Sequence, residues 1–229
     1  NVNTQYASQL TSSSTSLQAV NASVIFNSST SADLTVDGVT YALTFNSAAS
    51  EYQGTSGGKT ITLEYFSVGG ANVDIVYFAI ADASSLLDAY APIGNVTDPA
   101  NMPSSGTAVY NGILQGYANY SNGSSDPLTG PVTFNIDFGA SNISGSGTIN
   151  DAGTSATFGS FTVPMTSIVG NTFAVTPTVS LTDPSASVNG ASVEGDFFGP
   201  AGEDVAGAFA ATGTNSVGVM TIQGVFGAN

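Results

Sequence analysis

From residue 107 onward, apolar and polar positions alternate in short runs broken by turn residues. The period of two is plainest around residues 133–138. There Phe134, Ile136 and Phe138 fall on one face, and Thr133, Asn135 and Asp137 on the other. Successive side chains of a strand point to opposite faces, so this spacing predicts half-buried strands. Eight such runs occur, at about 107–119, 131–138, 142–149, 155–163, 172–181, 188–198, 205–211 and 216–227. Between them stand Asn122-Gly123 with Asp126-Pro127, Gly139, Asp151-Ala-Gly153, Gly170-Asn171, Asp183-Pro184, Gly199-Pro200 and Gly213. Evenly spaced strands with turn signals and no helical period argue for an antiparallel barrel or sandwich, and eight strands can close without an edge. Glycine also recurs inside the runs, at Gly195, Gly207 and Gly224. Interior glycine weakens an ordinary strand, so here it marks a bend or a close backbone approach.

The first hundred residues carry the same signal more loosely. Asp37-Gly38 separates two alternating runs, a tight-hairpin signature. Ile61, Leu63 and Tyr65 share one face of a further run, and Val73-Asp-Ile75-Val76-Tyr77-Phe78-Ala-Ile80 is continuous enough for a strand buried on both faces. Residues 83–90 read as one short helix capped by Ser84 or Ser85. Residues 1–20 are polar and include a Ser/Thr run at 11–16, which on its own would be a flexible tail. Asp98-Pro99, Met102-Pro103 and Ser104-Ser105-Gly106 form the clearest linker. The expected organisation is therefore all-β. An N-terminal polar segment (1–20), a possible donor strand, precedes a smaller β-rich, handle-like domain (21–103) and a C-terminal eight-stranded antiparallel β-barrel (104–229).

Composition narrows the partners. The 229 residues include 16 acids, a single cation (Lys59) and no His, for a net charge of -15. Nucleic acids and anionic membranes are bound through Lys and Arg, so both are excluded as partners. The chain has no Cys, and so no disulfide, thiolate or cysteine metal chemistry. No apolar run reaches membrane-spanning length. The Ser/Thr-rich, His-free and Cys-free composition fits an extracellular or bacterial cell-surface protein.

Little catalytic chemistry can be assembled from these residues. Without His or Cys most nucleophile–base pairs are missing, and Lys59, beside Gly57-Gly58, reads as a solvated charge. Glu194 and Asp196 lie two apart on one strand face and Glu203-Asp204 in a turn. They are the carboxylates that glycoside hydrolysis would need, but fit ordinary outer-face and turn acids. The expectation is no enzyme, no catalytic residue and no organic cofactor. The acids of Asp82, Asp88, Asp98, Asn150-Asp151, Asp183 and Glu203-Asp204 leave Ca²⁺ open, since Ca²⁺ takes oxygen ligands, although no EF-hand spacing is present. Phe134, Phe138, Phe158, Phe161, Phe197 and Phe209 read as barrel core. Tyr52, Tyr90, Tyr110, Tyr117 and Tyr120 are candidates for a binding surface or for barrel rims.

Several segments together resemble a known family. They are Tyr110-Asn-Gly112 with Gly116-Tyr117, Val132-Thr-Phe134-Asn-Ile-Asp137-Phe138-Gly139, Ile143-Ser-Gly145-Ser-Gly147-Thr148, Val193-Glu-Gly195-Asp-Phe197-Phe198-Gly199-Pro200 with Glu203 and Gly207-Ala-Phe209, and the closing Gly224-Val-Phe226-Gly227. They are similar to the barrel of transferrin-binding protein B-like bacterial surface proteins. The resemblance covers about 107–227, and the first hundred residues match it only in outline. It implies an eight-stranded barrel behind a handle domain, export to the bacterial surface, and capture of host iron proteins or haem. No ligand-contacting residue carries over, and the lack of His weighs against haem. Two functions stand side by side. One is a self-assembling subunit of an extracellular fibre or coat, its polar tail pairing with a neighbouring copy's sheet edge. The alternative is a surface or secreted binding protein that captures a host or environmental ligand, such as an iron protein or a haem-like molecule.

Overall fold

The computed structural model describes residues 4–11, 14–67 and 72–229. Among the described residues the regular structure is all β apart from one 3₁₀ turn at Pro99–Asn101. Strands β1 (Thr4–Thr11), β2 (Ser14–Ser28), β3 (Ser31–Val36), β4 (Val39–Asn46), β5 (Glu51–Ser56), β6 (Lys59–Ser67), β7 (Val73–Ala81) and β8 (Ser85–Gly94) run up and down as successive antiparallel neighbours. Strand β8 then pairs with β1, from Ala7↔Ala89 to Thr11↔Ser85, so the sheet closes into a barrel. Inside it, Leu34, Ile61, Leu63 and Phe78 are fully buried.

Two expectations for this half are corrected. The polar stretch 1–20 is neither a free tail nor a donor strand where it is described. Its residues form β1 and the start of β2, which pair with each other and with β8 of the same chain. Residues 83–90 are not a helix: Asp82 and Ser84 turn the chain, and β8 follows. The reason is burial on two sides. Leu87, Ala89, Ala91 and Ile93 face the core of the first barrel, while Tyr90 packs against the second. A strand covered on both faces loses its alternation and cannot be told from a buried helix by periodicity.

The second half contains β9 (Thr107–Tyr120), β10 (Ser125–Asp137), β11 (Asn142–Asp151), β12 (Thr157–Ser167), β13 (Thr172–Val175), β14 (Thr178–Leu181), β15 (Ser187–Phe198), β16 (Asp204–Asn215) and β17 (Gly218–Ala228). They form one antiparallel sheet in the order β13-β15-β16-β17-β9-β10-β11-β12-β14. Its two end strands are consecutive in the chain, β13 bonded to β15 and β14 to β12. The run expected at 172–181 thus spans the gap as one bent element, and the sheet curls round eight positions. Phe134, Phe197 and Phe226 are fully buried within it. The interior glycines do mark close backbone approach: Gly116 faces Gly224 across β9 and β17, and a Cβ on Gly224 would lie 2.2 Å from the Gln115 carbonyl oxygen.

The two barrels share a packed boundary. Val73, Ile75 and Tyr90 of the first meet Phe198, Ala206 and Val225 of the second, with Tyr77 and Tyr117 alongside. The Asn72 backbone N–H and side-chain amide both donate to Asp204 Oδ2, at 2.8 Å each. Thr97 Oγ1 donates to the Gly199 carbonyl at 2.7 Å.

Candidate functional site

The inward phase of the first barrel runs out at one end in aromatic residues. On β2 the inward positions are Val20, Ala22 and Val24, and the next is Phe26. On β4, Tyr41 and Leu43 lead to Phe45. On β6, Ile61 and Leu63 lead to Tyr65, and on β5 Tyr52 holds the equivalent place. Because side chains repeat every second residue, the rule that fills the core also brings these rings to the mouth.

There they line an open cup of about 580 Å³, with Ser28, Ser29 and Ser50. Phe26 touches Tyr52 and Tyr65 at centroid separations of 5.4 and 5.6 Å, and Phe45 touches Tyr52 at 5.1 Å. Interplanar angles of 58–86° set the rings as walls rather than as a stack. The cup faces solvent, with Phe26 37% and Tyr65 50% exposed. Large rings held in the open at a concave mouth are the usual substance of a recognition site.

One carboxylate belongs to the same mouth. Asp74 on β7 shares the phase of the buried Val76 and Phe78, and its Oδ2 accepts the Tyr65 hydroxyl proton. That hydrogen bond, with burial and the Asp74 charge behind it, pushes the Tyr65 phenol up to about 12. The ring therefore stays neutral near pH 7. Tyr52 donates to the Ser29 carbonyl at 3.4 Å across the cup.

The five tyrosines singled out from sequence do not converge. Tyr52 alone lies in the cup. Tyr90 and Tyr117 stack at the boundary between the barrels, 6.1 Å apart. Tyr110 is buried and donates to the Gly202 carbonyl, and Tyr120 donates to Asp126 at 2.8 Å. In the sequence Tyr65 stands out only as a strand position, and Phe26 and Phe45 are not singled out. Their shared signal is an aromatic at the end of an inward-phased run.

The acids are also dispersed. Among the described residues no three carboxylates gather as a metal site would need. Asp82, Asp98, Asp151 and Asp183 each accept from backbone N–H groups two or three residues on, as turn caps do. Glu203 accepts from the Ala201 N–H, and Asp204 is committed to Asn72. Glu194 lies with Asp196 on the outward face of β15, its carboxyl pushed up first by burial and then by Asp196. Lys59 stands exposed at the β5–β6 turn, opposite Ser56.

Asp88, like Asp204, is deeply buried. It is 3% exposed at the boundary, where the Gln223 amide donates to its backbone carbonyl at 3.0 Å. Burial pushes its carboxyl up to about 7, against smaller opposing hydrogen bonds from Gln223 and its own backbone. Asp88 Oδ1 and Gln223 Oε1 have no hydrogen-bond partner.

The comparisons agree with this architecture. No curated protein matches the chain. Among solved structures, transferrin binding protein B from Haemophilus parasuis Hp5 superposes with a TM-score of 0.57 at 19% identity over 100% of this chain and 45% of its own. Intact Ap-TbpB, with N and C lobes, gives 0.58 at 18% over 100% of this chain and 46% of its own. The isotype 1 protein from serogroup B Neisseria meningitidis gives 0.54 at 18% over 99% of this chain and 43% of its own. The chain therefore spans less than half the length of these structures. The family model for the C-lobe and N-lobe β-barrels of Tf-binding protein B matches residues 102–229, more than half of the chain. Shared fold and matching family model lead to one statement: the chain belongs to the family of Tf-binding protein B lobe barrels.

Proposed function

We propose that this chain is a non-catalytic binding module, carried at the bacterial surface, that captures a protein ligand of the transferrin type. The observation behind this reading is the open aromatic cup at the mouth of the first barrel, where Phe26 and Tyr65 stay exposed. Solved relatives named for transferrin binding share the fold. The fibre or coat reading loses its main support, since the polar N-terminal strands pair within their own barrel. The ligand's surface meets a protein of net charge -15, so basic patches on it are steered inward and acidic ones repelled.

The test is surface plasmon resonance with the whole chain immobilised, against a panel of vertebrate transferrins in iron-loaded and iron-free form. Serum albumin serves as the control. Saturable binding that weakens at least tenfold in the Phe26→Ala/Tyr65→Ala double variant supports the reading. Absence of binding across the panel overturns the transferrin assignment, and binding indifferent to the double variant removes the cup from it.

A further inference from the structure

The geometry points to the ligand group the cup receives: a cationic side-chain head, guanidinium or ammonium, presented by the bound protein. This rests on the protein-binding reading above and adds the chemistry of the contact.

Three observations carry it. First, the rings of Phe26, Phe45, Tyr52 and Tyr65 line a space of about 580 Å³ from several sides at steep mutual angles. Ring faces present the negative side of the aromatic quadrupole, which attracts a cation within about 6 Å of the centroid. Second, Asp74 stands at the same mouth, held by the Tyr65 hydroxyl. A fixed carboxylate beside aromatic walls suits a cation in transit from water. Third, no Lys or Arg side chain stands there among the described residues. Lys59 is the chain's single Lys or Arg, and it lies at the β5–β6 turn, whereas Tyr65 and Phe45 lie at the opposite ends of β6 and β4. An apolar anchor would gain from the rings but nothing from Asp74, and an anion would be repelled by it.

The probe is the capped tripeptide acetyl-Gly-Arg-Gly-amide. Its neutral counterpart has citrulline in place of arginine. Binding to the full chain is followed by NMR shifts of the tyrosine ring protons. The arginine peptide is expected to bind at least threefold more tightly than the citrulline one. Phe26→Leu and Tyr65→Leu keep the cup apolar but remove π faces, and each should lower that affinity about two- to thirtyfold, the range of a cation–π contact at about 0.5–2 kcal/mol. Asp74→Asn should weaken binding as well, while Asp82→Asn, the same charge change at the β7–β8 turn, should not.

Equal binding of the two peptides overturns the inference. So does a loss shared equally by Asp74→Asn and Asp82→Asn, which would mean unspecific attraction to an acidic surface. Thermal melts of the leucine variants confirm that they fold, as their exposure leads one to expect. The two readings fail separately. Transferrin binding that the arginine peptide cannot displace sinks the cation contact alone, and peptide binding without any transferrin binding sinks the protein ligand alone.

Discussion

Replacing Asp88 with Asn should make the protein more stable at pH 8 and leave it nearly unchanged at pH 4. Asp88 is buried where β8 meets β17, with Gln223 against it and the rings of Tyr77, Tyr90 and Tyr117 nearby. Burial pushes the phenols of Tyr77 and Tyr90 well above their usual value, so both stay neutral, and the single Lys or Arg, Lys59, is exposed at the β5–β6 turn. In the fold its carboxyl titrates at about 7, against 3.8 for the free group. Below pH 4 both folded and unfolded chains hold the proton, and the site contributes its full stability. Between pH 4 and 7 only the folded chain holds it, so stability falls as pH rises. Above 7 the slope ends. At about 1.4 kcal/mol per pH unit, the interval corresponds to about 4 kcal/mol. Asparagine keeps the shape, cannot ionise, and brings a donor to a place where Gln223 Oε1 has none. Urea titrations of parent and Asp88→Asn at pH 4, 5, 6, 7 and 8 give the difference directly. The slopes from the other carboxylates, common to both proteins, cancel. A difference constant with pH would refute the reasoning, because it would mean that the carboxyl ionises in the fold as freely as in the unfolded chain.

Gly224→Ala should cost about 2–3 kcal/mol in urea unfolding. The new methyl would meet the Gln115 backbone oxygen at 2.2 Å and the Phe209 ring at 2.6 Å, and the backbone across a ladder cannot step aside. Asn72→Ala removes one of the two donors to Asp204 Oδ2, an acid only 2% exposed. It should weaken the joint between the barrels by about 1–3 kcal/mol, seen as an earlier first transition in calorimetry and faster protease cleavage near residue 96. Asp82 accepts from Ser84 and Ser85 at the β7–β8 turn, first and most strongly from the Ser84 backbone, which holds its carboxyl down to about 2. That contribution is present above pH 4 and is lost as pH falls through 2. The melting-temperature gap between parent and Asp82→Ala should therefore close over that window.

Strand phase was legible in the sequence because it depends on neighbours along the chain; depth was not. Ile61, Leu63 and Tyr65 were placed on one face, and they share it, yet Ile61 and Leu63 are fully buried while Tyr65 is half exposed. Where an inward run leaves the core depends on how far its partner strands extend, and that is fixed by turns tens of residues away. The same limit explains the tyrosines. Tyr52 and Tyr65 meet at one mouth because β5 and β6 pair, and Phe26 joins them only because β8 closes onto β1 and rounds the sheet into a barrel. Residues 83–90 failed for a related reason: their second covering layer is another barrel, invisible to any local window. In the second half the turn signals sat at nearly every strand boundary, so the eight positions could be counted. The unexpected break at Thr176-Pro177 only divides one of them between two neighbours.

Seen this way, the two barrels divide the work by what each leaves uncovered. Both have apolar interiors, and both bury outer-face residues against each other through Tyr90, Phe198 and Val225. The second barrel keeps its large rings inside, with Phe134 and Phe226 4.8 Å apart in its core. The first carries its aromatic phase past the point where its core ends, so Phe26 and Tyr65 face water beside Asp74. Exposing such rings gives up part of the burial free energy they would supply in a core, about 25 cal/mol for each Å² left wet. Tyr52 packs against the core of Leu34, Ile61, Leu63 and Phe78, whereas Phe26 and Tyr65 do not belong to that cluster. The exposed rings of Phe26 and Tyr65 are therefore better explained by what they meet than by what they support.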